Sequence, residues 1–235
     1  MSERQNNRKK DVYFYPEMLR RIHISFLMFA IALAVNSLAQ SPEYRLETFG
    51  TRDGMLSSKV YALAQTSDRK LWIGTELGVS VYDGYSFTNY QYTSSNETIG
   101  RVLCITQDSL KGIWIGGDKG LFYLHGNSIK KMELQSKTQL AVEALLTDAG
   151  GNVWAGDLNA LFKITPQQIQ QVHKVHPAIV DITPFASFTK RVYCIAEDSK
   201  QNIYVGSYDG VFKIMANANN YEIFWANPDP SQSVR

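Results

Sequence analysis

The sequence predicts an all-β fold, a β-propeller of about four four-stranded antiparallel blades preceded by a leading strand. Two observations predict it: a fourfold repeat, and short apolar runs separated by turn residues. The repeated aromatic positions lie 42, 40 and 50 residues apart, and a repeat of that length is one supersecondary unit. Each copy opens with a valine, at Val60, Val102, Val142 and Val192. The aromatic and small residues that follow are Trp72, Gly74 and Gly78; Trp114, Gly116 and Gly120; Trp154, Gly156 and Ala160; and Tyr204, Gly206 and Gly210.

The first copy shows how one blade is built. Residues 60–64, 71–73, 79–82 and 85–90 are short β-compatible or alternating runs, and they are separated by polar turns such as Asp83-Gly84. Four such strands in about 40 residues are typical of a propeller blade. The blades then span approximately residues 59–91, 101–133, 141–173 and 191–226, with residues 44–49 as the leading strand and residues 40–235 as a partial propeller.

The repeated aromatic and glycine positions are interpreted as structural. An aromatic residue in every blade suits packing between sheets better than chemistry. The spaced glycines are expected at turns that need a positive φ, which glycine adopts without steric cost. Because Ala160 replaces glycine in the third copy, that turn is expected to differ in geometry.

Residues 1–39 are predicted to be a signal peptide or a signal anchor. Arg20 and Arg21 precede an apolar run over residues 22–35, and Ser37 and Ala39 are small residues before a cleavage site at Gln40. The run is shorter than the roughly 20 residues of a comfortable membrane span, which favours a cleaved leader. An uncleaved anchor stays open, as does a start at Met1 or at Met18.

The charge of the chain argues against a nucleic-acid surface. Residues after 39 carry 18 Lys and Arg against 19 Asp and Glu, a net charge of −1, so the overall +2 belongs to the leader. Cys104 and Cys194 occupy the motif position that holds Ala62 and Ala144 in the other copies. They are therefore predicted to be small, buried free thiols and not a disulfide, with a blade between them.

The strings DGMLSSKV (53–60), LWIGT (71–75) and YDG (82–84) resemble the two-component regulator propeller repeat. Residues 112–116, 152–156 and 198–206 are similar, and no Trp-Asp pair of the WD40 type occurs. Three positions depart from the pattern: Thr66 stands where the other copies have aspartate, Ala160 replaces glycine and Tyr204 replaces tryptophan.

The resemblance implies a non-catalytic, exported, periplasmic sensor of a two-component receptor that is anchored in the inner membrane and often linked to glycans. A histidine kinase would lie elsewhere in the receptor. Such propellers usually have seven blades, so the chain is expected to be an N-terminal fragment, with residues 230–235 as the run-in to a fifth blade. The implied partners are an oligosaccharide and the rest of the receptor or a dimer partner, with no nucleic acid and no cofactor.

The candidate ligand site is one face of the propeller. Loops between second and third strands should share this face with the connections between blades, at residues 91–101, 133–141 and 174–191. Carboxylates, amides and a tyrosine there suit a hydroxyl-rich ligand, although each one also fits a solvated turn. The candidate residues are Glu76, Asp118, Lys119, Asp157, Asn159, Tyr208 and Asp209.

Other function classes are less well supported by the sequence. His173, His176 and His125 do not reach the three or four convergent ligands that a metal site needs, so no metal is expected. A propeller enzyme of the lyase or hydrolase type and an interaction scaffold remain alternatives. Thr165 and Pro166 predict the start of a short helix.

Overall fold

The computed structural model describes residues 16–38, 45–135, 141–174, 182–188, 191–216 and 222–226. The chain divides into two compact units, residues 1–47 and residues 48–235. The predicted cleavage site, the strand residue at position 44, His176 and the predicted run-in at residues 230–235 lie outside the described residues.

The first unit contains helix α1 (Pro16–Leu38), which is 23 residues long and includes the predicted apolar run. Its described side chains, such as Phe26 and Phe29, are exposed. None of the helices among the described residues combines the length and hydropathy of a membrane span. The signal peptide or anchor stays a prediction.

The second unit consists of four antiparallel four-stranded sheets, each with its strands in chain order, which form the four blades of a propeller. The first strands of neighbouring blades pack on one another, so they lie innermost. The all-β propeller prediction is confirmed. The strands are β1 (Val60–Gln65), β2 (Leu71–Thr75), β3 (Gly78–Tyr82) and β4 (Phe87–Tyr90) in blade 1; β5 (Val102–Gln107), β6 (Ile113–Gly117), β7 (Gly120–His125) and β8 (Ser128–Met132) in blade 2; β9 (Ala144–Thr147), β10 (Val153–Gly156), β11 (Ala160–Ile164) and β12 (Pro184–Ser187) in blade 3; and β13 (Val192–Glu197), β14 (Ile203–Ser207), β15 (Gly210–Ile214) and β16 (Glu222–Ala226) in blade 4.

Hydrophobic cores fill the spaces between successive blades. Trp72, Trp114 and Trp154 are buried, and each lies in the core shared with the following blade. Each indole also needs an acceptor for its N–H when buried. The acceptor is the residue six positions earlier: Thr66 Oγ1 at 3.2 Å, Asp108 Oδ2 at 2.9 Å and Asp148 Oδ2 at 2.7 Å, while Tyr204 Oη donates to Asp198 Oδ2 at 3.3 Å. The departures at Thr66 and Tyr204 therefore preserve the same hydrogen bond.

The motif glycines have two different structural reasons. The predicted positive φ is found at the second glycine, for example 139° at Gly78 and 135° at Gly210. The first glycine has another role, because a Cβ at Gly116 would lie 2.8 Å from Val142 Cγ1 of the next blade. The turn explanation is therefore wrong for the first glycine, which permits close approach between blades. Ala160 is not among the residues with positive φ, which confirms that its turn differs.

The predicted leading strand is not formed over residues 45–49, which are irregular. No described strand pairs with them, and a strand needs a ladder partner for its backbone groups. The following residues instead cover the face of blade 1 that points away from blade 2. Met55 is buried there, Leu56 N donates to Ser80 Oγ at 3.0 Å, and the Phe49 ring packs 5.0 Å from that of Tyr82.

Blade 3 is longer than the predicted range of 141–173, because helix α2 (Pro166–Lys174) precedes its fourth strand, β12. The predicted connecting loop at 174–191 therefore contains a strand. The predicted helix start is confirmed: Thr165 N donates to Gln168 Oε1 at 2.9 Å, as in a capping box. Ile169 and Val172 of α2 are buried in the core between blades 2 and 3.

Both cysteines are free thiols, as predicted, but their burial differs. Cys104 Sγ donates to Val142 O of the next blade at 3.5 Å, and burial raises the pKa of this thiol. Cys194 is exposed, so the prediction of two buried thiols is wrong at this position. The reason is that no described blade covers the corresponding face of blade 4.

Candidate functional site

Turns between the second and third strands lie beside the segments that enter the first strands, which confirms the predicted grouping. We name this side of the propeller the entry face, defined by these turns and by the residues that flank the opening valines. Backbone hydrogen bonds join the two sets of loops. Glu76 N donates to Lys59 O at 3.3 Å, Asp118 N to Arg101 O at 3.0 Å, and Tyr208 N to Arg191 O at 3.2 Å.

Two candidate carboxylates interact with the segment that enters their own blade. Glu76 Oε1 accepts a hydrogen bond from Lys59 Nζ at 3.0 Å, and this bond, together with the opposite charge, raises the pKa of Lys59. Asp118 Oδ1 accepts from Arg101 N at 2.9 Å. Asp118 and its neighbour Lys119 are exposed, so they remain accessible to a ligand.

Asp157 differs from the other candidates because its side chain is only 1% exposed. Its Oδ1 accepts hydrogen bonds from the backbone N of Asn159 at 2.7 Å and of Ala160 at 2.6 Å. This carboxylate therefore holds the turn that lacks the motif glycine. Asn159 and Tyr208 are exposed, and Asp209 is half-buried, with its N donating to Ser207 Oγ at 3.1 Å.

Sequence reasoning missed the residues directly after the opening valines. The register of the first two strands shifts between Val60 and Ala62 in blade 1, and equivalent shifts occur around Leu103 and Tyr193. Such bulges re-aim a side chain and are frequent beside binding sites. Tyr61 is 43% exposed and Tyr193 is 52% exposed, although both lie on innermost strands. The sequence does carry a signal for these positions: a large residue directly after the valine interrupts the alternation along the strand.

The residues flanking the valines also contact one another between blades. The Arg101 guanidinium lies 5.7 Å from the centroid of the Tyr61 ring, and Arg191 Nη1 lies 3.0 Å from Glu143 Oε1. In both pairs, the residue after one valine meets the residue before the next. We name these positions the axial ring, which comprises Lys59, Tyr61, Arg101, Leu103, Ala141, Glu143, Arg191 and Tyr193.

The opposite face carries two cavities and a helix. A cavity of about 260 Å³ lies between blades 1 and 2, beside Trp72 and Gln107, and one of about 100 Å³ lies between blades 3 and 4, beside Trp154. Helix α2 packs into the core between blades 2 and 3. Among the described residues, no three His, Cys, Asp or Glu side chains are grouped so that they could hold a metal ion.

The fold and its motif define a repeat protein of the β-propeller class. Residues 54–76 and 187–209 match the family described as "Two component regulator propeller". The first segment runs through β1 and β2, and the second includes β13 and β14. Two segments of the chain therefore match the two-component regulator propeller repeat that the sequence resembles.

Among curated proteins, the chain is similar to histidine kinase P4 of Formosa agariphila, with 28% identity over 80 residues. The match covers 34% of this chain and 6% of that protein. The chain therefore corresponds to a small part of the length of this relative.

Solved structures show the same fold at low identity. One, described as the extracellular domain of a hybrid two-component system from Bacteroides thetaiotaomicron, has a TM-score of 0.60 and 18% identity, and covers 80% of this chain and 24% of its own. Virginiamycin B lyase from Staphylococcus aureus has a TM-score of 0.56 and 14% identity, and covers 74% of this chain and 58% of its own. Because receptor domains and an enzyme share this architecture, the fold alone does not select between sensing and catalysis.

Proposed function

We propose that this chain is a non-catalytic sensing module of a two-component receptor, located in the periplasm, and that its entry face binds a carbohydrate. The observation that carries the proposal is the arrangement of this face. The exposed rings of Tyr61, Tyr193 and Tyr208 lie on this face, on innermost strands and short turns, and the same face carries charged side chains and the amide of Asn159. The repeats of the two-component regulator propeller family support the receptor role.

Tyrosine beside carboxylates and amides is chemically suited to sugars. The apolar ring packs on the C–H face of a pyranose, and its hydroxyl, like the carboxylates, hydrogen-bonds sugar hydroxyls. Asp118, Lys119 and Asp209 are placed to supply such polar contacts. Asp157 takes an indirect part, because its buried carboxylate orients the turn that carries Asn159.

Binding is tested by calorimetric titration of the full chain with a panel of neutral and acidic oligosaccharides. Tyr193→Ala removes an exposed ring from the entry face and is expected to weaken binding about 2- to 10-fold. Tyr85→Ala is the matched control, because Tyr85 is 96% exposed in the turn between β3 and β4, away from the entry face. Equal effects of the two substitutions, or no binding of any oligosaccharide, would contradict the proposal.

The receptor role predicts that the protein is exported and that it leaves its bound oligosaccharide chemically unchanged. Fractionation of cells that express the gene, with N-terminal sequencing of the product, is expected to place the protein outside the cytoplasm. The alternative of a propeller enzyme predicts that a bound oligosaccharide is cleaved or modified during incubation. Mass spectrometry of the recovered ligand distinguishes the two, and a changed ligand would exclude a purely sensing role.

A further inference from the structure

We propose that the ligand of the axial ring is an oligosaccharide that carries a uronic acid, and that the Arg101 guanidinium binds its carboxylate. This inference rests on the proposed function, because it assumes that the entry face binds a glycan. It adds the charge of the ligand and the residue that recognises it.

The basic residues of the axial ring are not equivalent. Lys59 is paired with Glu76 at 3.0 Å and Arg191 with Glu143 at 3.0 Å. Among the described residues, none of the ion pairs involves the Arg101 guanidinium. Asp118 accepts a hydrogen bond from the backbone N of Arg101 and not from its side chain. Arg101 thus presents a charged, planar guanidinium with parallel N–H groups on the entry face.

The Tyr61 ring holds this guanidinium in place. The arginine Cζ lies 5.7 Å from the ring centroid, within the range of a cation–π contact. The contact leaves the edges of the planar guanidinium available, because stacking uses only one of its faces. Two parallel N–H groups on such an edge match the two oxygens of a carboxylate.

The surrounding charges restrict where an anion can bind. The carboxylates of Glu76, Asp118 and Glu143 lie on the same face, and the first and last of these already neutralise their cationic partners. Because Lys59 and Arg191 are already neutralised by these carboxylates, a ligand carboxylate is attracted at Arg101 more than at the other two cations of the axial ring, which selects one orientation of the sugar chain. Tyr61 and Tyr193 supply rings on which the neighbouring sugar units pack.

The test uses the full chain and uronic-acid oligosaccharides from pectin, alginate and glycosaminoglycans, each paired with its carboxyl-reduced form. The reduced form keeps the sugar skeleton and loses only the charge. We expect at least one acidic oligosaccharide to bind about 10- to 100-fold more tightly than its reduced partner, as a charged hydrogen bond predicts. The preference should decrease as the salt concentration rises.

Arg101→Gln is expected to abolish the difference in affinity between the acidic and the carboxyl-reduced oligosaccharides. Arg101→Lys is expected to retain part of this difference, because lysine keeps the charge but lacks the two parallel N–H groups. Arg69→Gln is the matched control. Arg69 lies in the turn after β1 with φ 66°, and the corresponding position of blade 4 is Gln201 at φ 64°, so glutamine is tolerated there. Thermal unfolding of each variant verifies that it is folded.

The outcomes separate the two proposals. If no oligosaccharide binds, the proposed function itself fails. If oligosaccharides bind but carboxyl reduction changes nothing, only the acidic ligand is refuted. An unchanged preference in Arg101→Gln, or an equal loss in Arg69→Gln, refutes the role of Arg101 while carbohydrate binding stands.

Discussion

Gly156 is placed so that an added methyl group would collide with the next blade. A Cβ at this position would lie 2.5 Å from Cγ1 and 2.9 Å from Cβ of Val192, and 3.5 Å from Cβ of Ala144. Val192 is fully buried, so it has little room to move. Gly156→Ala is therefore an overpacking substitution in an otherwise ordinary strand conformation.

The expected loss follows from two opposing effects. Overpacking costs about 1–3 kcal/mol, and alanine recovers about 0.4–1 kcal/mol by restricting the unfolded chain. The midpoints of these ranges give a fall in the free energy of unfolding of about 1.3 kcal/mol, which corresponds to a decrease in Tm of about 3–5 °C. Gly50→Ala is the control, because Gly50 has extended backbone with φ −152° and its nearest neighbour, Ser58 Oγ, would be 3.4 Å from the new Cβ.

A double-mutant cycle measured by urea unfolding isolates the contact. Val192→Ala alone should cost about 2 kcal/mol or more, from the lost methyl groups and the cavity. Combined with Gly156→Ala, the loss should be smaller than the sum, by at least about 0.5 kcal/mol, because the new methyl group enters the vacated space. Additive losses would refute contact with the valine as the reason for this glycine.

Three further outcomes are expected. Hydrogen bonds, chiefly from Asn202, lower the pKa of Asp198. The stability that the ionised Asp198 gives to the folded state is therefore complete above the ordinary pKa of about 4 and is lost as the pH falls through the lowered value. Asp198→Asn should make the dependence of Tm on pH less steep between about 5 and 2. Iodoacetamide should label exposed Cys194 at least about tenfold faster than Cys104, whose thiol burial keeps protonated, as followed by intact-protein mass spectrometry. Ile169→Ala should lower the free energy of unfolding by about 2–5 kcal/mol, because the side chain is fully buried, and an unchanged urea midpoint would contradict the packing of α2.

The features that a local repeat encodes could be predicted from the sequence. The blades, the burial of Trp72 and its equivalents, and the proximity of the Glu76 turn to the entry into β1 all follow from aligning the copies. Each blade repeats the same backbone path, so an equivalent position has an equivalent environment. The helix start at Thr165 was also readable, because capping depends on neighbours in sequence.

Features that depend on tertiary neighbours could not be predicted in this way. Cys104 and Cys194 occupy the same motif position, yet only the first is covered by a following blade. Residues 45–49 contain β-compatible residues but find no described strand to pair with. The helix inserted before β12 shifted the fourth strand of blade 3, and the wider 50-residue spacing before Tyr204 was the trace of this shift in the sequence.

The motif separates packing from recognition within a few residues. Three of the four opening valines, Val102, Val142 and Val192, fit against the glycine of the preceding blade, whereas Val60 has no described blade before it and is exposed. That fit fixes the backbone on both sides of the valine, at the inner edge of the sheet. The flanking positions are thereby held beside the axis, and no two copies carry the same pair, although arginine precedes the valine twice and tyrosine follows it twice. They are Lys59 and Tyr61, Arg101 and Leu103, Ala141 and Glu143, and Arg191 and Tyr193. A rigid frame with variable residues at fixed places is the arrangement that a binding surface requires, and this supports the proposal that the axial ring, and not the repeated tryptophans, carries ligand specificity.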